Sequence, residues 1–247
     1  MSDADFQSIR ALLVRSLVLG LLVLTIGCRP NAQSPEALTA SAENVELPWA
    51  DQIRAVRQGE TAEIHMVAPI TAESWSELAG GCEQLTAIDV ERLEAPESAL
   101  AVLSGLPQIR RLRIGSPVGD VGLRAIARIG SLEVLNLPQG GFTDAGLAEL
   151  TALPRLELLR FHSSHVTDEG MQHVSQMPAL RFLHLINVPI TDAGLTFLHG
   201  LKHLESFYLD GGRCTDDGLS RLLHELPELH FHLNQLHLPD DPHAHPH

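Results

Sequence analysis

A six-residue segment recurs at a fixed interval along the second half of the chain, and it constrains the fold more than any other feature. The segment VTDEGM at 166–171 is followed 24 residues later by ITDAGL at 190–195, with Asp and Gly in the same places. A fixed interval of this length is typical of repeat proteins, in which each repeat is one supersecondary unit that stacks on the next. Segments of this pattern lie at 118–123, 142–147, 166–171, 190–195 and 214–219.

Each repeat also carries an apolar–polar–apolar triplet, such as LNL at 135–137 or LHL at 183–185. Alternation of this kind predicts a short strand with one buried face. The register of an eighth triplet at 231–233 is left open. The LPEL segment at 226–229 before it is shifted by one residue relative to the LPRL segment at 153–156. The other triplets lie at 64–66, 88–90, 112–114, 135–137, 159–161, 183–185 and 207–209.

The residues that follow each Asp-Gly pair predict a helix. Leu195, Leu198 and Leu201 recur at intervals of three residues, which places them along one helix face. The preceding Thr or Asp carries a side-chain oxygen that accepts a free backbone N–H at a helix start. We therefore interpret the Asp as a helix-capping residue rather than a calcium ligand. We expect the Gly to permit either a close backbone approach or an unusual φ.

The combined pattern, LxxLxL followed by (I/V)TDxGL, resembles the leucine-rich repeat family. The resemblance is strong over 106–226 and weaker over 60–105, where ITAE at 70–73 keeps only part of the TD segment. It implies an α/β fold, a horseshoe-shaped solenoid of about 7–8 stacked coils with a parallel sheet on the concave side and helices on the convex side. No segment resembles an F-box, so a ubiquitin-ligase role is not implied.

The limits of the repeat domain follow from the same pattern. We assign residues 61–238 to the leucine-rich-repeat domain and residues 48–60 to an N-terminal capping helix. Solenoids need such caps because the end of the core is otherwise exposed. We expect Trp49 and Ile53 to cover the first coil.

The N-terminal residues resemble the signal of bacterial lipoproteins. Residues 16–26 are eleven nearly continuous apolar positions after two arginines, which is short of the roughly 20 that a membrane-spanning helix needs. The segment LTIGC at 24–28 resembles the lipobox, which implies lipidation of Cys28. We expect a signal peptide over 1–27, a flexible tether over 28–47 and a lipid-anchored place in the bacterial cell envelope, at the outer membrane or the periplasmic face. An ordinary cleaved signal and an uncleaved anchor are the alternatives.

Alternate strand residues point away from the core, and in leucine-rich repeats this concave face is the usual binding surface. The sequence predicts an exposed apolar step there, rimmed by arginines on one side and by an imidazole and a phenol on the other. This composition is typical of protein-binding hot spots. We interpret the face as the docking site of a protein partner, with the candidate residues Arg111, Arg113, Leu158, Arg160, Phe182, His184 and Tyr208.

Other interpretations of the same face are open. The side chains could be a solvated surface without a ligand, in which case the solenoid would serve as a structural spacer at the cell surface. Carbohydrate or peptidoglycan binding is less favoured, because it calls for aromatic platforms and the face offers only Phe182 and Tyr208.

Composition and motifs argue against other classes of function. The formal net charge of −14 opposes binding to nucleic-acid phosphates. No GxSxG, HExxH, Walker or dinucleotide-binding motif is present, so we expect no enzyme activity and no cofactor. Cys82 and Cys214 are predicted to be separate, buried thiols that form no disulfide. We expect no metal centre, and we expect residues 239–247, which are rich in His, to be a disordered tail with weak metal binding as the alternative.

Overall fold

The computed structural model of the chain describes residues 46–234. The predicted signal peptide (1–27), nearly all of the tether (28–47) and the predicted tail (239–247) lie outside these residues. The described helices and strands are α1 (Trp49–Arg57), β1 (Glu63–Met66), β2 (Ile70–Thr71), α2 (Ala72–Ser76), β3 (Ala87–Val90), β4 (Leu93–Glu94), β5 (Arg111–Ile114), α3 (Asp120–Ile126), β6 (Val134–Leu137), α4 (Asp144–Glu149), β7 (Leu158–His162), α5 (Asp168–Val174), β8 (Phe182–Ile186), α6 (Asp192–Leu198), β9 (Ser206–Asp210), α7 (Asp216–Glu225) and β10 (His230–Leu233), with 3-10 turns at Glu77–Ala79, Glu97–Gly105 and Leu150–Ala152. From β5 onward the described strands and α-helices alternate along the chain.

Eight strands form one parallel sheet, in the order β1-β3-β5-β6-β7-β8-β9-β10. Leu135, Leu159 and Leu183 lie side by side on β6, β7 and β8, which confirms the predicted α/β solenoid with one strand in each coil. The open register of the eighth triplet is now settled, because Phe231 pairs with Phe207 at the expected interval.

The repeat departs from a strict 24-residue interval at one place in the sheet. Leu112 pairs with Leu135, 23 residues later, because the connection from β5 to α3 is one residue shorter than its counterpart from β6 to α4. The coils still stack in register. The shorter connection therefore changes the loop and not the strand pairing.

The core is built from the inward strand residues and from one face of each helix. Leu195 and Leu198 on α6 and Leu183 on β8 are all buried, as the alternation of the strands and the period of the helices require. Phe142 and Phe161 pack with their ring centroids 5.2 Å apart.

The two described cysteines are free thiols, Cys82 buried and Cys214 half-buried. Cys214 takes the place that Val166 and Ile190 fill in other repeats. Burial, followed by the nearby Asp192 and Asp168, raises the pKa of Cys214 to about 12. Because the thiolate is the reactive form, Cys214 is a packing residue at neutral pH.

The Thr and Asp that recur in the TD segments have different roles. Thr143 accepts a hydrogen bond from the N–H of Ala145 at the start of α4, and Thr191 does the same for α6. The Thr is therefore the side chain that caps the helix, a role that the sequence had assigned chiefly to the Asp.

The Asp instead joins one coil to the next. Asp168 accepts the N–H of Thr191 at 2.7 Å and its hydroxyl at 2.6 Å. Asp192 accepts the equivalent two bonds from Thr215, and these bonds lower the pKa of Asp192. Each Asp thus fixes the residue that caps the following helix. The pairs are Asp120 with Thr143, Asp144 with Thr167, Asp168 with Thr191 and Asp192 with Thr215.

The recurring Gly leaves room for this Asp. A Cβ built on Gly194 would lie 2.5 Å from Oδ1 of Asp168. The φ angle of Gly194 is not positive. Of the two roles that the sequence left open, the close approach is the correct one.

The N-terminal helix closes the first coil. Ile53 is buried and Trp49 packs against the core. Nε2 of Gln52 donates to the carbonyl of His65 at 2.7 Å, and its Oε1 accepts the N–H of the same residue at 3.0 Å. The carboxamide of Gln52 therefore takes the place of a neighbouring strand at the β1 edge, which would otherwise be a template for aggregation. No helix in residues 46–234 is both long and apolar enough to cross a membrane.

Candidate functional site

The outward side chains of the eight strands form one surface, which we call the sheet face. Its residues lie in columns that run across the strands, because each coil repeats the same register. The first column is Glu63, Ala87, Arg111, Val134, Leu158, Phe182, Ser206 and His230, and the middle column is His65, Asp89, Arg113, Asn136, Arg160, His184, Tyr208 and His232. All seven predicted site residues belong to these two columns, and they span β5 to β9.

The sheet face over β1, β3 and β5 is ionic. Arg111 forms an ion pair with Glu63, two strands away. Arg113 binds Asp89 at 2.7 Å and Glu91 at 2.6 Å. Burial alone would lower the pKa of Arg113, but its bonds to Glu91 and Asp89 raise it.

These contacts change how the arginines are interpreted. The sequence predicted that arginines rim the apolar step, whereas each of these two arginines is paired with a carboxylate that was not among the predicted site residues. Arg111 and Arg113 therefore contribute little net positive charge to the face, and they are poor candidates for capturing an acidic partner.

The middle of the sheet face carries an apolar row. Val134, Leu158 and Phe182 are direct neighbours on β6, β7 and β8. Leu158 and Phe182 were predicted to be exposed, but all three residues are half-buried. The guanidinium of Arg181 lies 5.3 Å from the centroid of the Phe182 ring and is itself held by Glu205 at 2.6 Å. Val134 and Arg181 therefore extend the site that the sequence indicated.

Next to the apolar row lies a hydrogen-bonded group centred on His184. Arg160 Nη1 donates to Oδ1 of Asn136 at 3.0 Å, and its Nε donates to Nδ1 of His184 at 3.2 Å. Nε2 of His184 lies 2.8 Å from Oδ2 of Asp210. Because a guanidinium only donates, Nδ1 of His184 accepts and Nε2 carries the hydrogen that is donated to Asp210. Asp210, which follows the β9 triplet directly, was not among the predicted site residues.

The last three strands carry a group of rings. Tyr208 lies between His184, at a centroid distance of 5.4 Å, and His232, at 4.3 Å with an interplanar angle of 9°. The Nε2 atoms of His230 and His232 are 3.1 Å apart. Both histidines stand in the columns that the sequence defines, but they were not selected as site residues. Their spacing of two on the last strand is the signal that would have found them.

The buried imidazole of His184 predicts a pH-dependent stability. Burial lowers the pKa of His184 below its ordinary 6.5, against the opposing effect of Asp210. As the pH falls through 6.5, the unfolded chain takes up a proton on this residue while the folded chain does not. The contribution of neutral His184 to stability is thus complete above pH 6.5 and is lost as the pH falls to the folded-state pKa.

The check is chemical denaturation between pH 8 and pH 5. We expect His184→Gln to remove part of the decline in the free energy of unfolding on acidification, and His203→Gln, at an exposed position before β9, to leave it unchanged. If wild type and His184→Gln decline in parallel, the assignment of a neutral, buried imidazole is wrong.

In the described part of the chain, no three His, Cys, Asp or Glu side chains converge in a way that would hold a metal ion. The sheet face offers a partner apolar side chains, aromatic and imidazole rings and hydrogen-bonding groups. Such a mixture suits non-covalent binding.

Comparison with solved structures places the fold. The crystal structure of internalin C2 from Listeria monocytogenes matches 78% of this chain and 86% of its own, at 20% sequence identity and a TM-score of 0.59. The chain has a leucine-rich-repeat fold. The chain is also similar to a protein of Bacteroides fragilis (14% identity, 98% of this chain and 84% of that chain, TM-score 0.46) and to a leucine-rich-repeat protein of Leptospira interrogans (18% identity, 63% of this chain and 38% of that chain, TM-score 0.45). No protein-family model and no curated protein matches the chain.

Proposed function

We propose that the protein is a non-catalytic scaffold that binds another protein through the sheet face of β7 to β10. The observation that carries the proposal is the half-buried apolar pair Leu158 and Phe182, which lies beside the hydrogen-bonding groups of Arg160 and His184. At protein–protein interfaces, the few residues that contribute most of the binding free energy are enriched in aromatic side chains and Arg, and they fill well-packed pockets.

The two halves of the sheet face are not equally suited to docking. The arginines over β3 and β5 are already bound to carboxylates, so a partner would have to break ion pairs to use them. Over β7 to β9 the face combines Leu158 and Phe182 with the phenol of Tyr208. A partner can therefore bury apolar area there without stripping charges of their counter-ions.

We expect Phe182→Ala and Arg160→Ala to weaken capture of the partner by about 2 kcal/mol each, roughly 30-fold in affinity, because truncated hot-spot residues lose contacts that exclude water. The measurement is capture from a solubilised bacterial envelope extract on the immobilised full-length protein. The matched control is Phe197→Ala, which removes an exposed Phe on α6 and should change nothing. Unchanged capture by both sheet-face variants would reject this surface as the site.

We further propose that lipid on Cys28 holds the protein to the bacterial cell envelope. The support is the segment LTIGC at 24–28 after an apolar stretch. We expect wild-type protein to incorporate radiolabelled palmitate and to sediment with membranes, and Cys28→Ser to lose the label. Cys82→Ser serves as the control. A label that persists in Cys28→Ser would contradict the anchor.

A further inference from the structure

The last strand of the sheet holds two imidazoles whose nitrogens face each other. His230 and His232 are two residues apart on β10, so their side chains lie on the same side of the strand. Their Nε2 atoms are 3.1 Å apart, and their ring centroids are 4.4 Å apart. At the point of contact, one nitrogen donates a hydrogen and the other offers a lone pair.

The surroundings hold this pair in position. The ring of His232 stacks on Tyr208, with the centroids 4.3 Å apart. His232 is 6% exposed, so its ring has little freedom to turn away. The backbone of β10 is fixed by its pairing with β9, where His232 lies opposite Tyr208. The two nitrogens are therefore preorganised, which lowers the entropy that a ligand must overcome.

The separation of the nitrogens suits a metal ion. An ion about 2.0–2.1 Å from each Nε2, the usual distance for imidazole on zinc, would subtend an angle of about 100° across the 3.1 Å gap. This angle lies between those of octahedral and tetrahedral ions. The ion would take the place of the hydrogen that now lies between the two nitrogens.

We propose that His230 and His232 form a two-histidine site for a divalent transition metal ion of the copper, nickel and zinc group. Imidazole nitrogen is a preferred ligand of these ions, and for a given set of ligands copper binds more tightly than nickel or zinc. A site built on two imidazoles differs from closed structural zinc sites, which have four protein ligands. The site lies at the C-terminal end of the sheet face and does not depend on the docking of a protein.

The test must separate this pair from the other histidines of the chain. His237, His243, His245 and His247 follow β10 in the sequence and can bind such ions by themselves. Tyr208 offers a local probe, because it is the single tyrosine of the chain. Its ring lies 4.3 Å from that of His232 and 6.4 Å from that of His230.

The experiment is a titration of the full-length protein, labelled with 3-fluorotyrosine, by Cu²⁺ while the fluorine resonance is recorded. We expect one equivalent of the paramagnetic ion to broaden the resonance of position 208 strongly and EDTA to restore it. Zn²⁺ should shift the resonance without broadening it. His230→Asn and His232→Asn should each raise the Cu²⁺ concentration for half-broadening at least about tenfold, because each removes one of the two direct ligands and even the loss of an outer-shell partner costs about 10–100-fold in metal affinity.

Two further variants complete the design. His173→Ala, on α5, and the fourfold replacement of the histidines after residue 234 by Ala should both broaden like wild type. The proposal is overturned if Cu²⁺ leaves the resonance sharp, if the fourfold variant no longer responds, or if His230→Asn and His232→Asn respond like wild type. The fluorine resonance before metal addition shows in each case whether the variant has kept the native environment of Tyr208.

Discussion

Gly194→Ala is expected to lower the free energy of unfolding by about 2–4 kcal/mol, although helix propensity alone would predict a gain of about 1 kcal/mol for this change inside a helix. The added Cβ would lie 2.5 Å from Oδ1 of Asp168. Asp168 cannot move away without losing both of its bonds to Thr191. Overpacking costs about 1–3 kcal/mol and a lost bond to a charged group about 1.5–3 kcal/mol. The sign of the effect therefore distinguishes the coil-to-coil role of the Gly from simple helix propensity.

Chemical denaturation, followed by circular dichroism, measures this effect. The control is Gly200→Ala in the turn after α6, where an added Cβ meets nothing within 4 Å. We expect that change to stay within about 0.5 kcal/mol of wild type. In the double variant Asp168→Ala/Gly194→Ala the clash is absent, so the two single effects should not add. A stabilised Gly194→Ala protein would contradict the close packing of Gly194 against Asp168.

Phe161→Ala is expected to cost about 3–5 kcal/mol, the usual range for a large aromatic side chain removed from a packed core. Phe161 is fully buried on β7 and packs against Phe142 from the previous coil, with the ring centroids 5.2 Å apart. Its loss leaves a cavity that spans two coils. Because each coil is stabilised by packing against its neighbours, we expect the loss of stability to extend to the coils next to β7.

Phe182→Ala is the matched comparison, since Phe182 is also a strand Phe but lies half-buried on the sheet face. We expect that change to cost less than about 1.5 kcal/mol, as is usual away from the core. Thermal and urea unfolding of the two variants give both values. Comparable losses, or a larger loss for Phe182→Ala, would contradict the strand register, because a shift of one residue exchanges the two faces.

The strands and their pairing could be predicted because they depend on two simple periods. Alternation decides which strand residues are buried, and the 24-residue interval decides which strands are neighbours. Leu159 and Leu183 illustrate this, since their pairing follows from spacing alone. The single 23-residue interval before Leu135 was overlooked because the TD segments on either side of it keep their spacing.

The role of the Asp could not be read from one repeat. Capping is a local contact within a helix start, whereas the bond from Asp144 to Thr167 joins two coils and needs their stacking to be known. The same applies to Glu97, which accepts the N–H groups of Gly119 and Gly122. In a coil that lacks the TD segment, Glu97 therefore makes the coil-to-coil hydrogen bonds that the Asp makes elsewhere.

In the candidate site, too, the backbone positions were predictable and the side-chain contacts were not. The columns of the sheet face follow from the register, so the positions of Arg160 and His184 were predictable. The partners of these side chains were not, because rotamers decide whether Arg111 reaches Glu63 two strands away or points to solvent. The sequence therefore placed the arginines of the face correctly but did not show that Arg111 and Arg113 are paired with carboxylates.

The central claim is that a protein partner docks on the sheet face over β7 to β10. The most direct test replaces Phe182 by the photoreactive p-benzoylphenylalanine in the full-length protein and irradiates intact cells that produce it. Replacement of Phe197, exposed on α6, is the control. We predict a covalent adduct of one defined mass from position 182 and none from position 197. Adducts from position 197 alone, or no adduct from position 182, would contradict the account.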